Sequence, residues 1–215
     1  MTSRQKKEYY SFVIPSILAF ALAGVYSIVD GFFIGQCLGD AGLASVTIGY
    51  PLAVLIQAVG TGLGLAGAIR YTIWGAQGRK EDQEKCYTAA LLFLTLVSIV
   101  LTLLFLSQLY PILGFLGAEG DLLEMTADYV RVLAIGTILQ LLATGLVPFI
   151  RNMGGTTYAM VSMILGFVVN IILDYVFVWK FPFGMAGAAW ATVIGQATTT
   201  VAAIFFLIRK KPGLR

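Results

Sequence analysis

The sequence predicts an all-α membrane protein, a bundle of six transmembrane helices. Three observations carry that expectation. Of 215 residues, 59% are hydrophobic and only 12% charged, where a soluble domain carries about a quarter charged residues. The mean hydropathy is +0.88. The apolar residues also fall into six runs, each long enough for a bilayer core that needs about 20 residues per helix.

The first run, 10–37, follows the basic stretch "MTSRQKKEYY". It is too long for the apolar region of a signal peptide and has no clear small-residue cleavage site, so it reads as a membrane span. "GDAG" at 39–42 separates it from a second run, 44–72, and "GRKEDQEK" at 78–85 precedes the third, 86–109. "GAEGD" at 117–121 opens onto the fourth, 122–149, and "RNMGGTT" at 151–157 onto the fifth, 158–180. "FPFG" at 181–184 precedes the sixth, 186–208. Each break has the Gly, Pro and charge content of a turn. With no soluble domain, long linker or shorter repeat in view, residues 1–215 read as a single six-helix lobe.

Lys and Arg accumulate on the cytoplasmic side of membrane proteins. Arg4, Lys6, Lys7, Arg70, Arg79, Lys80, Lys85, Arg151, Arg209, Lys210, Lys211 and Arg215 all fall on one side of the six-span topology. The other side has Lys180, and Arg131 lies within the fourth span. The expectation is a multi-pass protein of the plasma (inner) membrane with both termini cytoplasmic.

Several functions are disfavoured at once. The chain has no histidine and two cysteines, Cys37 and Cys86, which the topology puts on opposite sides, so neither a transition-metal site nor a disulfide is expected. "GTGLGLAG" (60–67) resembles a nucleotide-binding glycine loop but lies inside an apolar helix with no strand before it. Gly60, Gly64 and Gly67, like Gly187, Ala191 and Gly195, read instead as small-residue helix-packing surfaces. No cofactor and no nucleic-acid partner are expected; the lipid bilayer is the one surrounding the composition demands.

The informative residues are the polar ones inside the spans. Ionisable groups there are costly and mark functional sites by default. Asp30, in "YSIVDGFFIG", lies nine residues before the outer loop, and Asp174, in "VVNIILDYVF", six before Lys180. At about 1.5 Å rise per residue both carboxyls lie roughly 9–13 Å below the outer helix ends. Asn170 precedes Asp174 by four residues and shares its helix face. Thr192 of the sixth span reaches a comparable depth, with Tyr26 one turn below Asp30 and Tyr129 in the fourth span as further support. These groups fit an all-oxygen Na⁺ site or a carboxyl pair that takes up a proton. As a bland alternative, Asp30 caps a broken helix and Asp174 accepts hydrogen bonds from its neighbours.

Other embedded polar groups call for less. Gln57, Gln140 and Gln196 read as interhelical hydrogen-bond partners, and Asp128 and Arg131 as a pair on one helix face. Met153, Met160 and Met163 are ordinary packing or an adaptable binding surface. Pro15 removes a backbone hydrogen bond within the first span and makes it a kinkable helix. Pro51 and Pro148 lie near helix ends.

Three stretches together resemble one family: "IPSILAFALAGVYSIVDGFFIGQCLGDAGLASVTIGYP", "PFIRNMGGTTYAMVSMILGFVVNIILDYVFV" and "GMAGAAWATVIGQ". They are similar, in order and over nearly the whole chain, to the amino-terminal lobe of a multidrug and toxic compound extrusion (MATE) transporter. The resemblance implies a cation-coupled antiporter, not an enzyme, that exports amphipathic, often cationic drugs or metabolites in exchange for H⁺ or Na⁺. It implies that Asp30, Asn170, Asp174 and Thr192 bind the coupling cation, that Tyr129 and Tyr26 support them, and that Pro15 is the bending point of the first helix. The family has twelve helices in two lobes with the substrate cavity between, whereas this sequence ends at "RKKPGLR". A second six-helix lobe, as a homodimer or a separate chain, is therefore expected as partner.

Three competing readings remain. A half-length fragment or assembly partner moves nothing by itself. A passive channel conducts without a counter-ion. An intramembrane aspartyl protease also uses two buried Asp residues, but in Tyr-Asp and Gly-x-Gly-Asp contexts, where this chain has "IVDG" and "LDYV".

Overall fold

A computed structural model describes residues 3–210, and every regular element in that range is helical. Lys211 and Arg215 of the basic set, and the side chains of Arg4 and Lys7, lie outside what it describes.

The first helix, α1 (Ser3–Ala76), is 74 residues long but doubles back at Gly39, whose φ of 66° and ψ of −159° are the only non-helical values inside it. A side chain at that backbone would be strained, and glycine adopts it freely. The two arms lie side by side past the turn. A β-carbon on Gly35 would meet the Leu43 side chain at 3.3 Å, and Tyr26 and Asp30 of the first arm line the same cavity as Val46 and Tyr50 of the second. Of the expected "GDAG" turn only Gly39 leaves the helix.

After Gly78 (φ 73°) comes α2 (Lys80–Ser107), with Glu81 and Asp82 in its first turn, where carboxylates favour the helix dipole. The short α3 (Leu109–Phe115) tucks Leu109 and Leu113 into the core. Next, α4 (Gly120–Ile135) and α5 (Thr137–Asn152) meet at a 56° bend and together make one broken span. The next span is α6 (Thr156–Asp174) with a π-helical segment, Tyr175–Lys180, directly after it. Last is α7 (Gly184–Lys210). The stretch from Tyr9 to Ala76, α2, α6 with its π-segment, and α7 are each long and apolar enough to cross a membrane, and α4–α5 qualify as a bent pair. With α1 counted as two arms, the fold is a six-span transmembrane bundle.

The turn at Gly39, the turn between α3 and α4 and the turn at 181–183 lie at one end of the bundle. Those at Gly78 and Gly154 lie at the other. In lipid, apolar surface alone does not hold helices together, so close approach of small residues must. The second arm of α1 lies against α5 in this way. A β-carbon at Gly60 would strike Thr144 and Leu141, one at Gly64 the backbone of Gly145, and one at Gly67 the ring of Phe149 and Ala90. Between α6 and α7, Gly166 and Gly195 each sit against the other's backbone, and Gly187 sits against the Phe177 carbonyl. Helix α5 is therefore central, with every residue from Gly145 to Ile150 buried. Phe149 packs edge-on to Tyr71 at 6.0 Å and Tyr87 at 5.4 Å near the Gly154 end. Met153 and Met163 pack there against the apolar cluster of Tyr87, Phe149 and Leu207.

The break between α4 and α5 exposes carbonyls that a continuous helix would use, and lipid offers no water to satisfy them. Side chains take them up. Thr102 of α2 donates to the Ala134 carbonyl (3.0 Å), and Thr137 (3.2 Å) and Gln140 (3.0 Å) to that of Leu133. Separately, Thr200 of α7 donates to the Leu139 carbonyl in the first turn of α5 (2.9 Å) and ties those two helices together. The space that a β-carbon on Gly136 would need is filled by Val193 of α7. The bend is at Gly136 and not at Pro148, which stays within α5.

Candidate cation site

The close contact of Gly166 with Gly195 draws α6 and α7 together one turn from Asn170 and Thr192. The Asn170 Nδ2 donates to Thr192 Oγ1 at 3.4 Å, and Thr192 Oγ1 donates to its own helix at the Ala188 carbonyl, 3.2 Å away. Asn170 Oδ1 is left buried with no partner. One turn on, Asp174 is fully buried, and neither of its oxygens has a hydrogen-bond donor.

The first arm of α1 brings Asp30 against this face. Its carboxyl and that of Asp174 lie within hydrogen-bonding reach of each other. Both are acceptors when ionised, so no bond forms between them without a proton, and Asp30 Oδ1 is also buried without a partner. One turn away, Tyr26 reaches Thr192 with its phenol and stacks its ring on Phe167, centroids 5.0 Å apart and planes 7° apart. From α4, the buried Tyr129 approaches Asp30, Tyr26 and Asp174. All six residues singled out from the sequence for this level, Asp30, Asn170, Asp174, Thr192, Tyr26 and Tyr129, are brought together. Pro15 is not among them; it lies in the first arm toward the other end, and the helix runs through it unbroken.

Asp30 Oδ1, Asn170 Oδ1 and both oxygens of Asp174 are thus four buried acceptors with no donor. Among the described residues neither carboxylate has a Lys or Arg partner; the salt bridges found there are Arg79–Asp82, Lys85–Glu81 and Arg131–Asp128, all exposed. An unsatisfied buried acceptor costs about 1–3 kcal/mol, and more if charged. The cluster therefore calls for positive charge, and its all-oxygen composition suits a proton or a hard cation. No group of three or more His, Cys, Asp or Glu side chains suited to a transition metal occurs among the described residues.

Asp30 also lines a cavity of about 170 Å³ between both arms of α1, α4, α5 and α7, open at a rim where Ser27, Tyr50, Val54 and Gln57 are exposed. Gln57, Gln140 and Gln196, expected to bond between spans, all face this space. Gln140 does make a bond, but across the break in its own span. Ser27, Tyr50 and Thr144 complete its polar lining and were not legible as site residues. Their one signal was polarity inside an apolar run, which an ordinary helix-facing hydroxyl shares. Asp128 and Arg131 pair at 3.3 Å, away from the site.

The MatE family model matches residues 15–176. The multidrug export protein MepA of Staphylococcus aureus is 28% identical over 207 residues, which are 94% of this chain and 44% of that protein. Among solved structures, the MATE multidrug transporter DinF-BH superposes with a TM-score of 0.90 at 29% identity, covering 95% of this chain and 46% of that one. An outward-facing multidrug resistance MATE family transporter of the MOP superfamily gives 0.85 at 27%, covering 97% and 46%. The chain spans just under half the length of the proteins it matches.

Proposed function

The chain belongs to the MatE family, and from that premise we propose that it works as one lobe of a cation-coupled antiporter that exports amphipathic, cationic small molecules. The observation that carries this reading is the set of four buried oxygens without donors on Asp30, Asn170 and Asp174. H⁺ or Na⁺ is the counter-ion, held by Asp30 and Asp174 with Asn170 and Thr192 as neutral ligands. Binding relieves the repulsion between two facing carboxylates and draws the first arm of α1 toward α6. Loss of the ion releases that arm, with Pro15 as its bending point. A ligand shifts such an equilibrium only by its differential affinity for the two packings, and a cation between two carboxylates has a large one. Export is supported by similarity to MepA, named a multidrug export protein.

This reading needs a second lobe opposite the first. Exposed side chains such as Phe20, Ile28 and Tyr50 leave a broad apolar face on α1. An even number of spans leaves both ends of the chain on one side, so a second lobe in the same orientation docks about an axis along the membrane normal. In this reading the chain lies in the plasma membrane with both termini cytoplasmic, an orientation supported by the Lys/Arg bias.

The test is uptake into oriented vesicles carrying the protein, driven by an imposed Na⁺ or pH gradient. Gradient-driven drug movement that disappears in Asp30→Asn and Asp174→Asn supports the reading, and unchanged coupling in both variants refutes it. One rival is a non-transporting half. Failure to move any substrate, alone or as a dimer, would establish that rival, and flux independent of any counter-ion would establish a channel.

A further inference from the structure

The cavity beside Asp30 continues past the carboxylate. Asp30 precedes the Gly39 turn by nine residues and Gln57 follows it by eighteen, which places Gln57 about 13 Å deeper toward the Gly154 end at 1.5 Å per residue. Gln140 and Thr144 line it beyond the bend, on the α5 side. Asp30 is the sole charged residue in the lining. Empty cavities persist where walls are apolar, while polar walls hold water, and 170 Å³ has room for several molecules. Amides and hydroxyls also solvate a cation without trapping it, as a second carboxylate would.

The broken span makes this space. Tyr129 and Leu133 line it from α4, and Gln140 and Thr144 from α5, on the far side of a 56° bend. Val193 wedges the bend at Gly136, and the bond from Gln140 Nε2 to the Leu133 carbonyl spans it from the cavity side.

We infer that this cavity is a hydrated passage by which the coupling ion moves between Asp30 and the Gly154 end of the bundle, with Gln140 the positioning residue that holds it open across the break. The inference rests on the cation-site reading above.

Thr144→Cys, in a Cys37→Ser, Cys86→Ser chain in oriented vesicles, is treated with a membrane-impermeant thiol reagent at each face. Reaction is expected from the face bearing the Gly154 turn, and not at Leu65→Cys, an outward-facing position on the second arm. Adding Gln140→Leu should slow it by about tenfold, the scale of one lost hydrogen bond, while Gln140→Asn restores most of the rate. Gln57→Cys is the second probe if Thr144→Cys fails to insert. Reaction from the Gly39 face alone, or none at either cysteine, overturns the passage. Cation binding is read independently from Trp179, which stands in the π-segment after Asp174 and edge-on to Phe33 at 6.2 Å. A Trp179 response to Na⁺ or acid that Asp30→Asn abolishes, beside an unreactive cavity, refutes the passage alone. A reactive cavity with no cation response refutes the ion-site reading and, with it, an ion route.

Discussion

Asp30 and Asp174 face each other across the α1–α6 contact with no hydrogen-bond donor or basic group between them. Substituting one carboxyl by an amide supplies the missing donor. Asp174→Asn should therefore raise thermal stability at neutral pH without Na⁺, by about 1–3 kcal/mol, the cost of an unsatisfied buried group. The native chain should gain stability from its cation by mass action, about 2.7 kcal/mol at a hundred times the dissociation constant. Melting curves of the Asn variant should be flat against both Na⁺ and acid. A variant that still responds would place the ion elsewhere.

Gly195 tests the small-residue contact that aligns Asn170 with Thr192. A β-carbon there would lie 2.8 Å from the Gly166 carbonyl and 3.0 Å from Asn170 Cβ. Gly195→Ala should destabilise the protein by about 1–3 kcal/mol, the usual cost of overpacking, and weaken cation binding with it. Gly62, with nothing within 4 Å of such a carbon, is the control. Gly62→Ala should be neutral or gain up to about 1 kcal/mol from helix propensity. Paired thermal unfolding in detergent decides it, and equal effects at both glycines would discredit the packing account.

Thr102 satisfies one carbonyl freed by the bend in span four. Thr102→Val keeps the shape and removes the donor, which should cost about 0.5–1.5 kcal/mol. Thr200→Val removes the bond from α7 to the Leu139 carbonyl of α5, just past the bend, so the two losses should add. No loss in the double variant would mean that the bend is held by Val193 packing alone.

Pro15 lies in an unbroken stretch of α1, away from the carboxylates. Pro15→Ala restores a backbone donor and should leave the Trp179 response to cation intact while slowing substrate exchange several-fold, as expected of a bending point and not of a ligand. Lost cation binding in Pro15→Ala would instead make it part of the site.

The six polar residues of the candidate cluster were legible because hydropathy fixes depth along each span, and depth, with the four-residue spacing of Asn170 and Asp174, put Asp30, Asn170, Asp174 and Thr192 on one level. What depth does not give is rotation about each helix axis or departures from regular geometry. Gln57 and Gln196 line a cavity because of how their helices are turned, and no local residue pattern encodes that. The bend at Gly136 has no proline; it is fixed by Val193 of α7 and Thr102 of α2, both distant in sequence. The turn at Gly39 was legible as a break, but its shortness was not, because "GDAG" reads as four turn residues and only one is used.

The π-segment at Tyr175–Lys180 reads as an accommodated insertion. A wider winding stores a surplus residue in a helix without displacing what precedes it, and such bulges recur beside functional sites. Here Asp174 keeps its regular α-helical setting and the surplus is taken up in the six residues that follow. Deleting one of them, Val176 for instance, would let the segment rewind as α-helix and leave Lys180 and the "FPFG" turn in nearly the same phase around the axis. The chain thus has a place, directly after Asp174, where its length can change by one residue with little displacement on either side.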